Sequence, residues 1–177
     1  MKKTSSMSER LNTLRAGVLG SNDGILTVVG VLFSVAVATT DQFTIFIAGL
    51  SDLLACAFSM AAGEYASVST QKDAEKAAVA KEKQLLKTDF SSELATVKMF
   101  YVERGVSEQT AALIAQDLMA KKPLETVISI KYNLNLGQYM NPWSAALSSL
   151  VSASIGGIFP LAAMTLSPVQ YQWPLTI

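Results

Sequence analysis

Asp52, Cys56, Met60 and Glu64 follow one another at steps of four residues through the apolar run DLLACAFSMAAGE. Residues four apart stack on one face of an α-helix, so two carboxylates, a thiol and a thioether would form one stripe along a hydrophobic segment. Asp23 interrupts a second apolar run, AGVLGSNDGILTVVGVLFSVAVA at 16–38. Carboxylates suit hard or borderline divalent cations and a thioether adds softness, a set that fits Fe2+ or Mn2+. Zinc more often draws histidine or several cysteines. Acids bind a metal when deprotonated and release it when protonated, so metal and proton occupancy oppose each other. That opposition is the minimal physics of a metal/proton exchanger.

Each of these residues also has an ordinary reading. Met60 suits core packing, and Cys56 a small buried hydrophobe. Glu64 suits a helix end with its carboxylate reaching headgroup water. Asp23, in SNDG, suits the cap of a helix that starts at Gly24. The acids nevertheless need an account, because an ionised carboxylate at the centre of a membrane helix costs roughly 2.5–3.5 kcal/mol. All fourteen Lys and Arg lie within residues 2–15 or 72–131, so none is available inside the apolar runs to neutralise them. Their partner must be a proton, a metal cation or water.

The elements that must position these residues follow from length. About 20 apolar residues cross a bilayer, and three stretches qualify: 16–38, 43–63 and 143–166. The first two are joined only by TTDQ, which predicts a tight antiparallel hairpin. A secretory signal peptide cleaved after AVA at 36–38 is the rival for the first stretch. The long polar lead-in, Asp23 and the immediately following second run speak against it. Basic residues precede the first span and lie between the second and third, so the positive-inside rule places the N-terminus and the middle segment in the cytoplasm.

The middle segment is a different material. EYASVSTQKDAEKAAVAKEKQLLKTD has no Gly or Pro and is rich in helix formers, which extends the second helix beyond the membrane by some 30 Å. Phe90, Leu94, Val97 and Phe100 recur at helical spacing, with Gly105 as a C-terminal stop. Ser107 is a capping candidate for a helix that ends before Pro123. A further short helix is expected near 124–133, although TVISIKY also reads as a strand. Gly20 and Gly24, and Ser152, Gly156 and Pro160, make small-xxx-small steps. These suit either contacts between copies or packing within one chain.

The expected architecture is an all-α membrane protein of three transmembrane helices with a small helical cytoplasmic domain between spans two and three. The parts are a cytoplasmic N-terminus at 1–15, a transmembrane hairpin at 16–63, the cytoplasmic domain at 64–142, the third span at 143–166 and a tail at 167–177. Zero net charge removes the basic field that would suggest nucleic acid, and the absence of histidine removes Ser-His-Asp and Cys-His chemistry. A single cysteine forms no intrachain disulfide. No enzyme and no permanently bound cofactor are expected.

LRAGVLGSNDGILTVVGVLFSVA at 14–36, LLACAFSMAAGEYASVSTQKDAEK at 53–76 and NPWSAALSSLVSASIGGIFPL at 141–161 resemble the vacuolar iron transporter family. The resemblance implies export of Fe2+ or Mn2+ from the cytoplasm in exchange for protons, by a homodimer whose path lies between the first spans of its protomers. It implies translocation roles for Asp23, Asp52, Met60 and Glu64, and none for Cys56. It further implies metal gathering by paired glutamates in the cytoplasmic domain. Only half of each pair stands here, because Leu85 follows Glu82 and Thr96 follows Glu93 at the third position. Glu82, Glu93 and Glu103 are therefore candidates beside the plainer reading of acids on solvated helices. The membrane is the plasma membrane for a bacterial protein and an organelle membrane for a eukaryotic one. The family has five spans, whereas this chain stops at SPVQYQWPLTI after the third, which reads as a truncated member with a possible start of a fourth span. The alternative function is a non-transporting protein that dimerises with, or regulates, a longer relative.

Overall fold

The computed structural model of the chain describes residues 7–166, and the expected start of a fourth span at 167–177 lies outside them. Six helices and no strand occur among the described residues: α1 (Met7–Ala38), α2 (Gln42–Thr88), α3 (Phe90–Val102), α4 (Glu108–Lys121), α5 (Pro123–Tyr132) and α6 (Pro142–Leu166). The fold class is all-α. Three helices, α1, α2 and α6, are long and apolar enough to cross a membrane. The chain divides into two compact units, one from residues up to Ser69 together with those from Asn141 onward, the other Thr70–Met140. α2 contributes residues to both.

In the first unit, α1 and α6 approach closely because small residues meet. A Cβ added at Gly24 would collide with the backbone carbonyl of Ala153, and one at Gly156 with that of Ser21. Gly20 faces the buried Ser149. The small-residue steps at Gly20, Gly24 and Gly156 thus serve packing within one chain. Gly24→Ala and Gly156→Ala should each force α1 and α6 apart and cost about 1–3 kcal/mol, read as a lower thermal midpoint in detergent. α2 packs through larger side chains. Val28 and Leu32 of α1, Ile45 and Leu53 of α2, and Leu161 and Met164 of α6 form the core, with Leu32 and Leu161 resting over Gly49. Asp41 starts α2 by accepting the Thr44 amide at 2.9 Å. That bond and a second from the Thr44 hydroxyl hold its carboxyl below the usual range.

Two local expectations change. α1 begins at Met7 and runs unbroken through Asn22, Asp23 and Gly24, so Asp23 lies mid-helix and caps nothing. Glycine disfavours a helix interior by roughly 1 kcal/mol relative to alanine, but the contact of Gly24 with α6 rewards the absence of a side chain. TVISIKY is helical within α5, and the strand reading fails. Pro123 opens that helix and Asn133, in the left-handed region at φ 53°, closes it. These boundary signals outweigh four β-branched residues, Thr126, Val127, Ile128 and Ile130.

The second unit is built from the C-terminal part of α2 with α3, α4 and α5 around Val97, Ala115, Met119 and Val127. Asp89 caps α3 by accepting the Ser92 amide, and Ser107 caps α4 by accepting that of Thr110. Gly105 turns the chain between them at φ +87°.

Candidate ion site

The hairpin sets the register of the acids in the apolar helices α1 and α2. Asp23 stands 17 residues before Thr40 and Cys56 stands 16 after it, so antiparallel helices of equal rise bring them to one level. The Cys56 thiol donates to Asp23 Oδ2 at 3.4 Å across the α1–α2 interface. Cys56 is buried, whereas Asp23, Asp52, Met60 and Glu64 are half-buried. Asp52 lies one turn from Cys56 along α2, and the same register places it near Thr27. Asp52 Oδ2 and Thr27 Oγ1 are both shielded from solvent and have no hydrogen-bond partner. Burying polar atoms without partners costs free energy, so each such atom in a folded protein asks for a reason.

Met60 and Glu64 continue the stripe on α2. At 1.5 Å per residue, Asp52 and Glu64 are about 18 Å apart along the helix axis. The four side chains are therefore strung along the helices and do not surround one point. No group of three or more His, Cys, Asp or Glu able to hold a metal occurs among the described residues. What the structure brings together is Asp23 with Cys56, a pairing absent from the roles implied by resemblance. The counting from Thr40 was the signal that could have found it. A groove of about 1040 Å3 between the first halves of α1 and α6, lined in part by Arg10, Leu14 and Ser148, includes none of these residues.

The acids of the second unit have a different arrangement. Glu82 on α2 and Glu93 on α3 are both buried, at 1% and 5% exposure, so the solvated-face reading fails for them. The Lys131 ammonium on α5 donates to Glu82 Oε2 at 2.9 Å and to both Glu93 oxygens at 2.8 Å. The Tyr132 hydroxyl donates to Glu82 Oε1 at 2.7 Å. Burial pulls the Lys131 pKa down, but hydrogen bonds to Glu93 and Glu82 and their charges outweigh it and hold it above the ordinary lysine value. The hydrogen bond to Glu82, with burial and the Glu82 charge, likewise raises the Tyr132 phenol. Glu82 and Glu93 thus converge, and the cation between them is a lysine. Glu103 stands apart, exposed at the end of α3.

A sequence model described as the VIT family matches residues 14–177. A vacuolar iron transporter of Acanthamoeba castellanii is 37% identical over 160 residues, covering 90% of this chain and 58% of that protein. Vacuolar iron transporter homolog 1 of Oryza sativa subsp. japonica is 29% identical over 149 residues, covering 84% of this chain and 58% of its own length. Vacuolar iron transporter homolog 2.1 of Arabidopsis thaliana is 28% identical over 155 residues, with 86% and 54% covered. The chain spans a little over half the length of these relatives.

Proposed function

The chain belongs to the VIT family, and from that premise we propose that it moves Fe2+ or Mn2+ out of the cytoplasm in exchange for protons. The observation that carries the reading is the pair of acids inside long apolar helices with no lysine or arginine in residues 16–71 or 132–177. One of these acids, Asp52, has a solvent-shielded oxygen without a partner. A divalent cation satisfies such oxygens, and protons replace it when the acids are neutralised. Asp23 and Asp52 form the mid-membrane site, Met60 offers a thioether on the next stretch of the route, and Glu64 stands near its cytoplasmic end. The second unit is cytoplasmic by the distribution of basic residues. There a divalent ion reaches Glu82 and Glu93 only by displacing Lys131, and Glu103 acts apart from them.

The acting form is a homodimer in lipid, and Leu14, Val18 and Leu26 of α1 are exposed apolar residues for either contact. The test is metal flux into proteoliposomes holding the 177-residue chain under an imposed pH gradient, with Fe2+ and Mn2+ tried separately. Flux that follows the gradient supports the proposal. No flux from correctly inserted, dimeric protein overturns it and leaves the alternative, a partner or regulator of a longer relative.

A further inference from the structure

We propose that the groove between the first halves of α1 and α6 holds one anionic phospholipid, its headgroup against Arg10 and an acyl chain along Leu14, Val18 and Ile155. The inference goes beyond transport and needs only that α1 and α6 lie in a membrane. Three pairings fix the register of the groove walls. Ser148 Oγ donates to the Thr13 carbonyl at 3.4 Å, a Cβ on Gly17 would stand 3.2 Å from Ser152 Oγ, and one on Gly156 would meet the Ser21 carbonyl. Each pair is 135 positions apart, so the two helices run in the same direction at one level. Arg10 and Ser144 therefore share one end of the groove, and Ile155 lies about 15 Å further in at a rise of about 1.5 Å per residue. That is half of a hydrocarbon core about 30 Å thick, the depth of one leaflet. A further membrane helix would need a groove along the whole thickness.

Charge fits the same occupant. Among the described residues that line the groove, Arg10 carries the only charge, with the hydroxyl of Ser144 at its level and apolar side chains deeper. Trp143, next to Ser144, is exposed and packs against the Tyr65 ring with 4.9 Å between centroids. Tryptophan and tyrosine favour the membrane–water interface, so the charged end of the groove stands at headgroup depth. The distribution of basic residues puts that end in the cytoplasmic leaflet, where anionic lipids concentrate, and basic pockets between membrane helices bind their headgroups.

The experiment is native mass spectrometry of the full chain, released from detergent micelles that hold equal amounts of phosphatidylglycerol and phosphatidylcholine of the same chain length. Wild-type protein should retain one phosphatidylglycerol about fivefold in preference to phosphatidylcholine, the scale set by one basic residue at an anionic headgroup. Arg10→Gln should abolish that preference. Arg15→Gln removes the same charge from an exposed residue of α1 outside the groove lining, and should keep it. Val18→Trp should lower retention of both lipids by filling the apolar half of the groove, with helicity unchanged. Wild-type protein without the preference, or an equal loss in both arginine variants, overturns the proposal. Retention that Val18→Trp leaves unchanged places the lipid elsewhere and overturns it too. So does a lipid-free dimer that Val18→Trp dissociates, which gives the groove to a second copy of the chain.

Discussion

Asp23→Asn is expected to reduce gradient-driven Mn2+ flux in proteoliposomes by about 10–100-fold or more, the scale on which metal sites lose affinity when their support is removed. The amide nearly matches the carboxylate in shape, and its carbonyl oxygen still accepts from the Cys56 thiol, which the present structure places 3.4 Å away. What the variant lacks is the charge. Removing it also removes a burial cost of roughly 2.5–3.5 kcal/mol, so the variant should insert and fold at least as well as the parent. Loss of flux with normal helicity and yield then isolates the role of the anion. Wild-type flux in Asp23→Asn would remove Asp23 from the route.

Lys131→Met is expected to be the most destabilising single change in the second unit. Glu82 and Glu93 side chains are 1% and 6% exposed, and the Lys131 side chain they share is 25% exposed. Removing one partner of such a buried pair leaves charge without compensation and costs about 3–5 kcal/mol. For a unit of this size that corresponds to a midpoint lower by at least about 10 °C. The check is thermal unfolding of the full chain together with amide exchange in α3 and α5. Adding Glu82→Gln and Glu93→Gln to Lys131→Met should recover much of the loss, because the stranded charges go with the lysine. A variant as stable as the parent would refute the ion pair as the unit's support. Mn2+ that restores Lys131→Met would show that the two carboxylates accept a divalent ion once the lysine is gone.

The same contacts fix the direction of a pH response. The folded pKa values of Lys131 and Tyr132 both lie above their ordinary values. Groups raised in the folded state contribute fully below the unfolded pKa and lose that contribution as pH rises through the folded one. The second unit should therefore keep this stabilisation at neutral pH and lose it in the alkaline range, above the ordinary lysine and tyrosine values. Alkaline unfolding should be weaker in the Lys131→Met, Glu82→Gln, Glu93→Gln triple variant. Equal alkaline sensitivity in parent and triple variant would assign the response to other groups.

The local signals in the sequence were enough for the helices themselves. Apolar length identified α1, α2 and α6, since in lipid the backbone must satisfy its own hydrogen bonds and long helices do so. Ser107 marked the start of α4 and Pro123 the limit of its end, because capping and proline geometry act within a few residues. Even the level of Asp23 opposite Cys56 was countable, because a short turn ties two helices of equal rise to one register. Rotation about the helix axis was not countable, and it decides which side chains face each other. Gly24 reads as a small-residue step for contacts between copies or for packing within one chain until Ala153 of α6 is placed against it. Glu82 and Glu93 read as solvated acids until α5 brings Lys131 between them from 49 and 38 positions away. Sequence determined where each helix runs and what chemistry it carries. Only tertiary packing decided which carboxylate meets a lysine and which is left facing a thiol, because burial and charge pairing are properties of space between helices, not of distance along the chain.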